Sequence, residues 1–355
     1  MSSVTQSRWS QIAALSFELS GYELERLRAD ESSGSERLSV QIRLLGGGTD
    51  GLGEDVWPFA EEQDALLSAG PSLPLAGDWT IGAFCEHLAT LEQWPEPPSW
   101  EAGRHYRNWA YESAALDLAL RQNGRALPEL LGIEPRPVRF VNSLGLGDPP
   151  SFDAIQRRLA RVRGLRFKLD ADPRWTPALM DELVATGAVD ILDFKGQYGL
   201  ETGDAAALAS MYEHALDTFG DVVLEDPHDL PEISGLVAPH AERVSYDAPI
   251  HAVADLDSTP LPSRIVNVKP SRMGSLPALF DLYDHCEQHG LRMYGGGMGE
   301  IGVGRGQVQL LASMFHADAP NDVAPASFNA PELAHGLPSS PLTPPRDPAG
   351  FRWSG

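Results

Sequence analysis

The chain has 355 residues, 42% of them apolar and 22% charged, with a formal net charge of -23 at neutral pH. That composition suits a globular protein large enough for one barrel and an accessory region, and excludes a fibrous or wholly disordered chain. A charge of this sign repels phosphate backbones and anionic lipid, so no nucleic acid and no membrane surface is expected as a partner.

The opening segment, MSSVTQSRWSQIAALSFELS, has no basic start followed by an apolar core and cleavage site. No later stretch is apolar for long enough to span a bilayer, so a cytoplasmic location is expected. Residues 16–44 alternate as strands do, in SFELSGYELERLRA and LSVQIRLL, before a turn at Gly46, Gly47 and Gly48. From Trp79 the period becomes helical, and RNWAYESAALDLALRQNG runs to a stop at Gly124. Cys85 and Cys286 are too few for a disulfide framework or a zinc ribbon and read as buried thiols.

Beyond Pro137 one unit repeats: a short apolar strand, a polar turn, an amphipathic helix. The strands are VRFVNSL, LRFKLDA, VDILDFK, DVVLED, RVSYDA, RIVNVK and LRMYGG, and helices such as FDAIQRRLARVRG, TPALMDELVATG, DAAALASMYEHALDTFG and LPALFDLYDHCEQHG lie between several of them. Strict alternation implies a parallel sheet, and about seven units favour a closed TIM-type barrel, with a doubly wound open sheet as the alternative. The expected organisation is an α+β N-terminal domain with its lead-in helix over 1–125, a (β/α) barrel over 126–329, and a Pro-rich tail over 330–355. The tail, with PSSPLTPPRDP, is expected to lie irregularly on the surface.

In a barrel the chemistry sits at the carboxyl ends of the strands. Lys168 and Asp170 end the second strand, Asp193 and Lys195 the third, Glu225 the fourth, Asp247 the fifth and Lys269 the sixth. Residues two apart share a face, so each pair projects together. Any one of these alone reads most simply as a structural ion pair. Three acids on three successive strands, set in apolar runs, repel one another unless a cation lies between them, and hard oxygen donors in that number suit magnesium. Lysines in such surroundings are candidate bases, their pKa values lowered by burial and a neighbouring cation. In the glycine-rich GMGEIG, Gly297, Gly299 and Gly302 match a dinucleotide fingerprint, but so late in the chain they read better as a packed loop after the seventh strand, with Glu300 facing the mouth.

Acid, acid, acid and then lysine on strands three to six resembles the enolase superfamily, in particular its muconate-cycloisomerase and mandelate-racemase branches. AYESAALDLALRQNGRALPELLG is similar to the helix and Leu-Leu-Gly stretch that opens the barrel there, GLGEDV to the Gly-x-Gly-Glu turn of the capping domain, and NVKPSRMGSL to the sixth-strand lysine motif. The resemblance implies a (β/α)7β barrel with an N-terminal α+β cap. It also implies Asp193, Glu225 and Asp247 as magnesium ligands and Lys269 as general acid or base. The segment LRFKLDADPRWT also resembles the third-strand motif, which would make Asp170 the first ligand, but counting strands places it second. Three departures stand out: Asp170 replaces the second lysine of Lys-x-Lys, Lys195 replaces an asparagine, and Ala248 stands where an acid is usual.

The implied activity is removal of the proton α to a substrate carboxylate, giving an enediolate that leads to dehydration or another elimination, cycloisomerisation or epimerisation. The catalytic candidates are Lys269, Lys168 and Lys195, with Asp170 and Glu300 as substrate contacts and a small carboxylate as partner; assembly into a homo-oligomer is left open. The alternatives are a Schiff-base aldolase or lyase working through Lys269 or Lys195, and a non-catalytic barrel that binds a ligand.

Overall fold

The computed structural model describes residues 7–30, 36–199, 204–345 and 349–353. Parts of the opening segment and the end of PSSPLTPPRDP therefore lie outside the described residues. The N-terminal half opens with α1 (Arg8–Ala13) and β1 (Ser16–Leu19), followed by β2 (Gly21–Asp30), β3 (Glu36–Gly46) and β4 (Thr49–Asp55). Strands β2, β3 and β4 form an antiparallel meander, with Tyr22 opposite Leu44 and Leu24 opposite Ile42. Gly46 pairs with Thr49, so Gly47 and Gly48 make a two-residue hairpin, and both have the positive φ (55° and 75°) that such a turn requires. Then come α2 (Ala60–Ala69), β5 (Gly77–Thr80), which pairs antiparallel with β1, α3 (Ile81–Leu88) and the long α4 (Gly103–Gln122).

Helix α4 presses on β4 so closely that side chains are excluded. A Cβ on Gly51 would stand 2.2 Å from the Ala114 carbonyl oxygen, and one on Gly53 would stand 2.0 Å from that of Ala110. The alternating apolar face of the meander, with Leu44, Ile42 and Tyr22, is buried against α4 residues Tyr111, Ala114 and Leu118.

After α5 (Leu127–Leu131) the chain enters the barrel: β6 (Asn142–Leu144), α6 (Asp153–Arg161), β7 (Phe167–Asp170), α7 (Pro177–Ala185), β8 (Val189–Asp193), α8 (Ala205–Thr218), β9 (Val223–Glu225) and α9 (Pro231–Val237). It continues through β10 (Val244–Tyr246), β11 (Ile265–Val268), α10 (Pro270–Met273), α11 (Leu276–His289), β12 (Arg292–Gly295) and α12 (Val303–Phe315). The seven strands from β6 to β12 are parallel and pair in sequence order. Asn321 and Asp322 join the two edges by isolated parallel bridges, Phe140 with Asn321 and Gly296 with Asp322. A two-residue eighth strand thus completes a (β/α)7β barrel behind an α+β cap.

Register sorts the inward side chains into layers. Ile191 pairs with Val223 and Asp193 with Glu225, while Ser245 pairs with both Glu225 and Ile265. Val141, Ile191, Ile265 and Tyr294 form an apolar floor, and the charged residues stand above it at the strand ends.

The tail runs irregularly at the surface over 338–345, as expected, but it is anchored more firmly than a loose segment. Leu342 exchanges two backbone hydrogen bonds with Val138, and Phe351 is fully buried. The Phe351 amide donates to Asp117 of α4, and Arg352 ion-pairs with Asp117 and Asp50. Proline-rich sequence marks irregular backbone, but the aromatic and arginine residues after it anchor that backbone in the seam between cap and barrel.

Candidate metal centre and active site

Each acidic strand end follows buried residues of its own strand, Ile191 and Leu192 before Asp193, Leu224 before Glu225 and Val244 to Tyr246 before Asp247, so burial of the strand carries the carboxylate inside. Asp193, Glu225, Asp226 and Asp247 are all fully buried. Single carboxylate oxygens of Asp193, Glu225 and Asp226 lie within 4.8 Å of one another. Asp247 stands beside them but is drawn outwards: Lys269 Nζ donates to its Oδ2 at 2.7 Å, Tyr198 Oη donates to the same oxygen at 3.2 Å, and Arg272 Nε lies 3.4 Å from its Oδ1. That Oδ1 is buried and accepts no hydrogen bond.

The three lysines are threaded among the acids. Lys168 is 1% exposed, with Nζ 2.5 Å from Glu225 Oε1 and 3.0 Å from Asp193 Oδ2. Lys195 reaches the same Asp193 Oδ2 at 2.5 Å and lies 3.2 Å from Asp170 Oδ1, with about a third of its side chain open to the mouth. It has φ 54°, a left-handed conformation that costs a non-glycine residue roughly 1 kcal/mol or more. The cation that the acids call for is therefore supplied in part by the chain's own ammonium groups.

The balance of charge is uneven across the cluster. Burial alone would raise the Asp193 carboxyl, but Lys168 and Lys195 outweigh it and hold it below the usual range. Asp247 is likewise held low against its burial by Arg272 and Lys269. Glu225 is raised, chiefly by burial, because the attraction of Lys168 is offset by Asp193 and Asp247. Burial, with Asp247 and Glu225, pushes Asp226 up to about 8. The expected lowering of the lysines rests on a neighbouring cation as well as on burial; among the chain's own groups all three are raised. Burial acts in the expected sense, but the carboxylates around Lys168, Lys195 and Lys269 outweigh it.

The other sequence candidates fall in different places. Asp170 lies at the mouth, its side chain 42% exposed, beside Lys195. Glu300 does not face the mouth: it is 3% exposed, takes the Met298 amide on Oε1 and pairs with Arg305 at 3.2 Å. The glycine-rich loop around it is fastened to the cap. Arg37 donates to the Met298 carbonyl at 2.6 Å, and Glu54 of β4 accepts from the amides of Ile301, Gly302 and Gly304 at the start of α12. Glu300 thus bonds within its own loop, and Glu54 and Arg37 fasten that loop to the cap.

Sequence reasoning missed Asp226, Arg272, Asn267, Tyr294 and Asp322. Asp226 follows Glu225 directly and on a regular strand would face away, but its φ of 46° turns it inwards, where its oxygens take the amides of Asp247 and Ala248. Asn267 and Tyr294 were legible as inward positions of their strands; both donate to Glu225, at 3.1 and 2.6 Å. Asp322, on the two-residue eighth strand, lies 4.0 Å from Lys168.

Comparisons with known proteins agree with this architecture. Residues 134–330 match the family described as Domain of unknown function (DUF8230) C-terminal domain, and residues 10–130 match the DUF8230 N-terminal domain. An N-succinylamino acid racemase from Amycolatopsis sp is 30% identical over 268 residues, 72% of this chain and 67% of that protein. An o-succinylbenzoate synthase from Geobacillus stearothermophilus is 27% identical over 227 residues; the match takes in 61% of this chain and only 58% of the synthase. A solved member of the enolase superfamily from Listeria innocua superposes with a TM-score of 0.61 at 19% identity, covering 86% of this chain and 85% of that one. With a capped (β/α)7β barrel, acids and lysines alternating at its mouth and these relatives, the chain belongs to the DUF8230 family and to the enolase superfamily.

Proposed function

We propose that this enolase-superfamily enzyme removes the proton α to a substrate carboxylate with magnesium as cofactor, and that the outcome is dehydration or a related elimination. The observation that carries the reading is the gathering of buried carboxylates at the strand ends, with single oxygens of Asp193, Glu225 and Asp226 within 4.8 Å of one another and Asp247 buried beside them. The donors fit magnesium: they are carboxylate oxygens only, they are buried, and Asp247 Oδ1 has no hydrogen-bond donor of its own.

In this reading Asp193, Glu225 and Asp247 hold the cation. Asp226 serves them from behind, since both its oxygens are committed to backbone amides. Magnesium, when bound, supplies positive charge to the substrate carboxylate as the α-proton leaves and draws the field of the acids away from the lysines. Lys269 takes the proton. It does so as the free amine, its buried Nζ placed 2.7 Å from Asp247 Oδ2. Lys168, sealed between two acids, cannot reach substrate and stabilises charge from below. Lys195 and Asp170 form the open wall of the mouth and face the substrate across from the buried cluster.

Elimination needs one base, whereas racemisation needs a proton returned to the opposite face. Asp170, ion-paired with Lys195 at 3.2 Å, suits charge stabilisation better than proton return. Both relatives' names carry a succinyl group, so succinylated carboxylic acids are the substrate class to test first.

The experiment follows α-proton exchange by NMR in deuterated water with magnesium, using N-succinyl amino acids and acid sugars. Replacing the base, as Lys269→Ala, is expected to lower exchange by about 10³-fold. Exchange that survives this substitution contradicts the assignment, and rapid racemisation would identify Lys195 as a second base. Borohydride should trap no lysine, because proton removal by Lys269 forms no bond between a lysine and a substrate carbonyl.

A further inference from the structure

We infer that Tyr294 is a positioning residue that aims Glu225 at the cation, with Ser245 fixing the tyrosine in turn; this rests on the magnesium reading above. Tyr294 lies on β12 and is 1% exposed, its ring packed into the floor with Val141, Ile191 and Ile265. Nothing about a floor residue requires a hydroxyl, yet the hydroxyl rises into the charged layer and donates to Glu225 Oε2 at 2.6 Å. Ser245 Oγ lies 2.9 Å from the same phenolic oxygen. With its one proton given to Glu225, Tyr294 accepts from Ser245, so the chain runs from Ser245 to Tyr294 to Glu225.

The geometry also says which oxygen is affected. Glu225 Oε1 already accepts from Lys168 Nζ at 2.5 Å and from Asn267 Nδ2 at 3.1 Å. A carboxylate has about four acceptor positions, two on each oxygen. The position left open is on Oε2, the oxygen Tyr294 holds. A cation entering from the mouth therefore meets an oxygen whose direction is set from below. In a dry interior such a charge-assisted bond is stronger than at a surface, and it resists rotation of the carboxylate towards Lys168.

The test uses the intact protein and magnesium alone, by titration calorimetry. Tyr294→Phe keeps the ring that fills the floor and removes only the hydroxyl, and it is expected to weaken magnesium binding by roughly tenfold or more. Ser245→Ala, one step further away, is expected to weaken it less. Tyr283→Phe is the control for loss of a buried hydroxyl: Tyr283 is equally buried, but its hydroxyl meets His316 and not the cluster, so affinity should hold. Affinity unchanged in Tyr294→Phe, or lowered equally in Tyr283→Phe, overturns the inference. A native protein that binds no magnesium would instead contradict the cation reading itself, and would leave Tyr294 a structural residue only.

Discussion

Buried carboxylates occur in two regions of this molecule and are treated in opposite ways. In the seam between cap and barrel each has donors of its own. Glu54 takes Ser39 Oγ and three amides, Asp117 takes the amides of Leu52 and Phe351 with Arg352, and Asp55 takes the Trp57 amide and Arg107. At the mouth the acids face one another and share lysines, two of which contact a single oxygen of Asp193. In the seam the carboxylates are met by donors of their own, and bonds such as Glu54 to the Gly302 and Gly304 amides tie cap to barrel. The mouth's acids depend on shared cations, and in the proposed reading a metal ion and a carboxylate substrate complete that sharing.

Substitutions should therefore separate stability from metal binding. The largest stability effect is expected in the seam, from Asp55→Ala. It leaves the fully buried Arg107 guanidinium without its acid, stacked on Trp94. A loss of about 3–5 kcal/mol in urea unfolding is expected, with magnesium affinity unchanged. If affinity falls as far as stability, the two regions are not independent.

Next in size is a pH effect from the same seam. Burial pushes Glu112 up to about 7, against hydrogen bonds from the Leu276 amide and Asn108. A carboxyl raised in the folded state favours folding below its unfolded value and loses that contribution as pH rises through the folded value. Stability should thus fall by about 3 kcal/mol between pH 4.5 and just above pH 7. Glu112→Gln should flatten that slope, and an unchanged slope would assign it to other groups.

The smallest effect belongs to the mouth, where two terms oppose each other. Lys195→Gly relieves a left-handed lysine, worth roughly 1 kcal/mol, but takes one of two ammonium groups from buried Asp193, so stability is expected to stay nearly level while α-proton exchange falls. A clear loss of stability would mean that Lys195 serves the fold more than the site.

The mouth's half of this contrast was legible in the sequence. Period-two alternation in VDILDF and VVLED, with strand counting, placed Asp193, Glu225, Asp247 and Lys269 at one end of one sheet. What escaped was whatever breaks that period. Asp226 turns inwards through a positive φ, and the closing strand at Asn321 and Asp322 is too short to carry a pattern. Glu300 was read as a mouth acid because loop position says nothing of which wall a side chain faces, and here the cap supplies that wall through Arg37 and Glu54. The direction of the lysine shifts depends on distances to carboxylates, which spacing along a strand does not give.

The most direct measurement is magnesium affinity by calorimetry in Asp193→Asn, Glu225→Gln and Asp247→Asn, beside Asp226→Asn, each checked for folding. Each of the first three should lose binding, because each removes a proposed ligand, whereas Asp226→Asn should keep the most, because its oxygens already serve backbone amides. Affinity unchanged in any of the first three, or abolished only in Asp226→Asn, would contradict this account of the mouth.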